Sequence, residues 1–380
     1  MRTPSSNRRL VPIALYGAAA VVTTLSFAVM SSQGLVNAMV DSQSHLLQAL
    51  QIAWSLTPGV SQIGFWPPLL RVLLLPAVIL LPSALVLQLG AFSTMLPIML
   101  LGAFFLYNIA RMSGVSPKLS VLAPALFVMH PVVEYFSSSA MTEVPLMVSL
   151  FGATYYALRW SRSLGLLDLS MLAAFVSFTT LSRYEGFLVV PLSVLFVVCR
   201  CLAEKMTFQK MKAIVVMFSF LAVLGLLLIM VYSTVYAGTP FSFLSLGVEL
   251  STDAANVGFV KQSVSFAKVV KSVHMFYRAS LHMHGAWFVW CFPAAALLVL
   301  ALRRKWQDLF VIAFLLSPGI FVIAMLALGR NSISVPELPK WGWNTDRPYE
   351  KFLNVRYALT WVGAGIVALT LCLDALSKTR

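Results

Sequence analysis

A few carboxylates and guanidinium groups stand out because the rest of this chain is so apolar. Asp41 opens the run 41-DSQSHLLQALQIAW-54 with His45 four residues on, and 62-QIGFWPPLLRVLLLP-76 follows, with Trp66 before a Pro-Pro pair. Glu143 lies in 141-MTEVP-145. Arg183, Tyr184 and Glu185 are consecutive in 181-LSRYEGFLVVP-191, and 354-NVRYALTWVG-363 repeats the Arg-Tyr pair at Arg356 and Tyr357. A carboxylate held beside a substrate hydroxyl can act as a general base. The planar fork of an arginine binds two oxygens of a phosphate at once. Each group also has a plainer reading. Asp41 can cap an amphipathic helix over 42–55, and Glu143 can simply favour the N-terminus of a span. Arg183 and Glu185 can be an interfacial anchor beside Tyr184 in an aromatic belt. His130, four residues before Glu134 on an apolar face, reads as a satisfied core histidine.

Composition sets the elements that must position these groups. Of 380 residues, 59% are hydrophobic and 11% charged. A soluble domain cannot hide so much apolar surface, so the expected fold class is an all-α polytopic membrane protein, one integral-membrane domain over 1–380. The net charge of +14 could suit nucleic acid. The Lys and Arg sit in short clusters between apolar runs, however, which points to membrane lipids and not to nucleic acid. Cys199, Cys201, Cys291 and Cys372 show no metal or disulfide spacing and read as reduced thiols. The run 10–30 is longer than a signal-peptide core, so an uncleaved span is expected there in preference to cleavage near Ala38.

Further apolar runs near 92–110, 119–136, 144–159, 167–182, 186–203, 213–236, 286–302, 308–328 and 356–374 bring the expected transmembrane helices to about ten. The run at 69–91 decides the topology, because if it crosses, every later loop changes sides. With 67–82 along the outer interface, both termini are cytoplasmic and 16 of the 27 Lys and Arg fall in short cytoplasmic connections. Nine of the 13 acids are then outside, and the positive-inside rule favours that arrangement. Three long outer loops cover 31–82, 237–283 and 329–355. The first holds the amphipathic helix, with Leu46, Leu47, Leu50 and Trp54 on the membrane surface. A second interfacial helix starts at Pro67-Pro68, with Pro76 and Pro82 shaping its end. In the second loop Lys261, Lys268, Lys271 and Arg278 fall on one helical face with apolar residues opposite, an interfacial helix that meets lipid headgroups. The candidate residues all lie on the outer face of an inner (plasma) membrane.

In this order along the chain, Asp41, 67-PPL-69, Glu143, 183-RY-184 and 356-RY-357 resemble the glycosyltransferase C superfamily, integral-membrane enzymes that use polyprenyl-phosphate-linked sugars. Closest in pattern are the protein O-mannosyltransferases and the lipid A aminoarabinose transferases. The resemblance implies a glycosyltransferase C-like fold, and transfer of a mannosyl-type or other hexosyl group to an acceptor hydroxyl with inversion. It implies Asp41 as the base and Glu143 as a second catalytic carboxylate, touching the acceptor, the sugar or a metal. Arg183 and Arg356 are then clamps on the donor phosphate, with His45, Trp66, Tyr184, Glu185 and Tyr357 binding substrate. A divalent cation (Mg, Mn or Zn) at Asp41 and Glu143 would serve the leaving phosphate as an arginine does. The chain departs from the family in lacking the Asp-Glu pair of many relatives, in having fewer spans than the larger members and in having no soluble C-terminal domain, so acceptor recognition is expected from the loops. The chief rival is a lipid or sugar-lipid transporter, which would favour internal repeats with broken helices near mid-membrane; no convincing repeat occurs. An assembly subunit without chemistry would leave the outer carboxylates and Arg-Tyr pairs without a role. No His-Glu-x-x-His or Gly-x-Ser-x-Gly motif supports a membrane protease.

Overall fold

The computed structural model describes residues 7–56, 66–240, 265–303, 306–328 and 355–378. Among these residues the regular elements are all helices. After α1 (Asn7–Ser32) come two short helices, α2 (Val40–Trp54) and α3 (Leu69–Leu80), and then α4 (Ser83–Met112). With 12 residues, α3 is only about 18 Å long, too short for a hydrocarbon core of about 30 Å. Its end is set by Pro82, whose ring disfavours a helical neighbour; Leu81 is accordingly extended (φ −86°, ψ 143°). By contrast α4 starts at Ser83, well before the apolar run at 92–110. Residues 83–91 therefore belong to the long helix.

The run expected as one span at 119–136 is broken. It forms α5 (Pro117–Ser120), α6 (Leu122–Val128) and α7 (Pro131–Ser137), with a bend of 62° before α7. Pro131 pushes His130 out of helical conformation (φ −74°, ψ 119°). His130 and Glu134 thus do not share a continuous helical face: one precedes α7 and the other is in its first turn.

α8 (Glu143–Ser163) lies at the centre, packed on α4 and α9 (Leu166–Ser182) and buried along nearly all its length. Glycines permit its closest contacts. A Cβ on Gly152 would sit 2.3 Å from the Phe175 ring, and one on Gly363 would sit 2.3 Å from the Phe151 ring. A 3-10 helix, Tyr184–Leu188, leads into α10 (Val189–Ala203), followed by α11 (Phe208–Ala237), α12 (Phe266–Arg303) and α13 (Trp306–Ala327). A second 3-10 helix, Val355–Trp361, leads into α14 (Val362–Lys378). α12 is bent at Gly285 (φ 79°, ψ 158°), a conformation that glycine adopts without steric cost. Ahead of the bend Ser272, Phe276, Ala279 and Ser280 are buried, while Phe266, Val269, Val270, Val273 and Lys271 are exposed. The outward face is therefore mixed apolar and basic, not the basic stripe that the spacing suggested; Lys261 lies outside the described residues.

Among the described residues six helices are long and apolar enough to cross a membrane: Ile13–Ser32, Leu85–Met112, Tyr184–Ala203, Phe208–Val235, Asp308–Ala327 and Arg356–Lys378. The bent pair Pro117–Val128 and Pro131–Ser137 makes a seventh if it is one span. Large apolar side chains such as Leu25 and Val29 on α1, and Phe220, Leu228 and Val235 on α11, face outward. Such surfaces suit hydrocarbon and not water. The chain is an all-α protein of multi-pass membrane type. The other runs expected to cross are also helical, as α8, α9 and the C-terminal part of α12, but α9 has only 17 residues.

Candidate functional site

Asp41 does not cap α2. Met39 occupies the N-cap position, no side chain caps the helix, and Asp41 is in the first turn, where the helix dipole favours a carboxylate. Its neighbour fixes its place. Ser42 Oγ accepts a hydrogen bond from the Ala140 backbone N–H at 2.9 Å, tying the start of α2 to the turn 138–142, which is buried throughout. That turn ends at Glu143, the first residue of α8. Two carboxylates more than a hundred residues apart are brought together in this way.

Arg183 comes to the same point from the end of α9. It is extended (φ −158°, ψ 156°) between α9 and the following 3-10 helix. Gly186 lets the chain fold back tightly, since a Cβ there would lie 2.3 Å from the Thr179 carbonyl oxygen. Arg183 Nη1 donates to Thr142 Oγ1 at 2.9 Å and to Glu143 Oε1 at 2.7 Å. Its Nε and Nη2 donate to Glu185 Oε1 at 3.1 and 2.8 Å. Four of the five guanidinium N–H groups are thereby engaged, and the cation lies over the Tyr357 ring at 5.0 Å. Burial works against the charge, but the Glu185 and Glu143 carboxylates more than offset it and hold Arg183 above its usual range. Arg183 is an internal strut.

Arg356 closes the network on its accessible side. Nη2 donates to Asp41 Oδ2 at 2.5 Å, and Nε lies 3.3 Å from Glu143 Oε1. The charges alternate through Asp41, Arg356, Glu143, Arg183 and Glu185. Exposure grades along this series: the Arg183 and Glu143 side chains are 6% and 2% exposed, that of Asp41 is 31%. Glu143 Oε2 is buried without a hydrogen-bond partner among the described residues. The segment carrying Arg356 is held by packing and by a histidine pair. A Cβ on Gly319 of α13 would meet the Trp361 indole at 1.9 Å. His284 Nε2 donates to the Ala358 carbonyl at 2.9 Å, so its Nδ1 accepts from His130 Nε2 at 3.2 Å.

His45 and Trp66 meet around a residue that the sequence did not single out. Arg71, within α3, is completely buried. Its Nη1 donates to His45 Nδ1 at 3.0 Å and its Nη2 to the Trp66 carbonyl, while the His45 and Trp66 rings meet edge-on at 5.8 Å. Because arginine only donates, His45 carries its proton on Nε2. Burial, and then the charges of Arg71, Arg356 and Arg183, push His45 down to about 3. Burial likewise pulls Arg71 down to about 10, opposed by the nearby Tyr232 and Tyr184 phenols. Its Nε has no partner, and no carboxylate pairs with it among the described residues. A buried cation without a carboxylate partner among the described residues is costly. A lone Arg in the otherwise apolar LLRVLLLPAVIL was the only clue in the sequence.

Asp41, Glu143, Arg183, Glu185, Arg356 and Tyr357 thus form one contiguous cluster, and His45, which contacts Arg71, feels the charges of all three arginines. The Tyr184 phenol feels the charges of both Arg71 and Glu185. The Arg356 guanidinium contacts both Asp41 and Glu143, the two carboxylates expected as metal candidates. Among the described residues no group of three or more His, Cys, Asp or Glu is placed to hold a metal ion. No model of a known protein family matches the chain, and no curated protein does.

Proposed function

We propose that the chain is a membrane glycosyltransferase that moves a sugar from a polyprenyl-phosphate carrier to an acceptor hydroxyl on the outer face of an inner (plasma) membrane. In this reading it crosses the bilayer ten times with both termini cytoplasmic. The observation that carries the proposal is the convergence of Asp41, Glu143, Arg183 and Arg356, from four distant segments, into one graded network whose accessible end is an Asp–Arg pair.

The steps follow from that gradient. Arg356 holds Asp41 in place until substrate arrives. The carrier phosphate then draws the Arg356 fork away from Asp41, which leaves the carboxylate free to accept the acceptor's hydroxyl proton. The acceptor oxygen attacks the anomeric carbon, and the carbon–oxygen bond to phosphate breaks with its electron pair on the phosphate. Arg356 and the un-neutralised Arg71 stabilise that charge. Arg183 orients Glu143, whose free Oε2 accepts a hydroxyl of the sugar or acceptor.

The test is transfer itself. Purified protein in detergent, given polyprenyl-phosphate sugars and a panel of hydroxyl acceptors, should release polyprenyl phosphate. Flipping of the intact sugar-lipid in vesicles with no release would support the transporter instead.

A further inference from the structure

A second feature lies away from this network. α1 packs against α7, and between them is a cleft of 310 Å³ lined by Val22, Leu25, Ser26, Val29, Met30 and Glu134. Leu25 and Val29 are exposed on a helix long and apolar enough to span, so the mouth of the cleft faces lipid. Ser26 is six residues before the helix end at Ser32, about 9 Å along the axis. That depth is near the boundary of acyl chains and headgroups. Glu134 is half-buried there, and its carboxylate makes no ion pair or hydrogen bond among the described residues. The other acids of the outer side that are described, Asp41, Glu143 and Glu185, each pair with an arginine. An ionisable group at membrane depth ordinarily has a partner.

We propose that this cleft binds a phospholipid with a primary ammonium headgroup. The ammonium N–H groups donate to the Glu134 carboxylate, a charge-assisted pairing, and Ser26 offers a second polar contact. One acyl chain lies along Val22, Leu25, Val29 and Met30. The bound lipid rests against α7, whose Ser137 and Ser138 hydroxyls donate back to the Glu134 carbonyl at 2.8 and 3.0 Å. The cleft commits to an amine with N–H groups because a quaternary headgroup has the charge but no hydrogen to donate.

Native mass spectrometry of delipidated, detergent-solubilised full-length protein tests this without any transfer reaction. Phosphatidylethanolamine and phosphatidylcholine with identical acyl chains are titrated in parallel. Wild type should bind the ethanolamine lipid about tenfold more tightly, the order of one charge-assisted hydrogen bond. Glu134→Gln should erase the preference, and Val29→Trp, which fills the cleft from an exposed position, should weaken ethanolamine-lipid binding with Glu134 intact. Equal binding of the two lipids to wild type would overturn the proposal; so would a preference that survives Glu134→Gln. A cleft made for a lysine of a partner protein would give the first of those results.

Discussion

Arg356 donates to Asp41 Oδ2 at 2.5 Å across 315 positions of sequence, and the same guanidinium reaches Glu143 Oε1. This contact joins α2 to the 3-10 helix ahead of α14 and marks where the buried polar network reaches its more exposed end. The two arginines of the network therefore differ in kind. Arg183 is enclosed by groups of the protein, whereas Arg356 reaches the part-exposed Asp41.

That difference predicts opposite phenotypes. Arg183→Met leaves Glu143 and Glu185 buried with their main counter-charge gone, and should destabilise the protein by about 3–5 kcal/mol. Arg183→Lys should restore little of this, because an ammonium cannot reach Thr142, Glu143 and Glu185 with one planar fork. Thermal unfolding in detergent measures both. Wild-type stability in Arg183→Met would remove the strut assignment.

Arg71→Met should behave differently. Deleting an un-neutralised buried cation relieves a desolvation cost and loses two hydrogen bonds, so stability should change far less than in Arg183→Met. Binding of a short-chain polyprenyl phosphate, followed by calorimetry, should weaken about 10- to 100-fold. A large loss of stability with unchanged binding would make Arg71 a clamp between α2 and α3 and nothing more.

His45 should give the protein an acid-sensitive stability. Its pKa is about 3 when folded and near 6.5 in the free side chain. Between those values the unfolded chain binds the additional proton, so stability falls as pH drops below about 6.5, by up to about 1.4 kcal/mol per unit. His45→Asn keeps an acceptor for Arg71 and should flatten the slope between about pH 6.5 and 5. Identical pH profiles of melting temperature in the two proteins would contradict this.

Topology is open to direct labelling. In a protein whose native cysteines are replaced, a cysteine at the exposed Leu56 should react with an impermeant reagent from outside. One at the exposed Lys118 should react only after the membrane is permeabilised. The reverse pattern would place Asp41 on the cytoplasmic side and end the proposed chemistry.

Much of the site was legible because charge is conspicuous in an apolar chain. Asp41, Glu143, Arg183 and Arg356 each interrupt or flank apolar runs, and their union required only that the runs pack as a bundle. What failed depended on backbone detail. Asp41 could have been a cap, but capping is decided by which residue leaves the helical conformation, and that is Met39. His130 and Glu134 have helical spacing, yet Pro131 breaks the helix between them. Arg71 was passed over because its complete burial, with no carboxylate partner among the described residues, appears only in three dimensions.

The most direct measurement is turnover by Asp41→Asn. The substitution keeps the size of the side chain and a hydrogen-bond acceptor for Arg356, and removes the base. Release of polyprenyl phosphate from a lipid-linked sugar should fall about 10²- to 10⁴-fold, with donor binding and melting temperature close to wild type. An Asp41→Asn protein that transfers sugar at the wild-type rate would contradict the account.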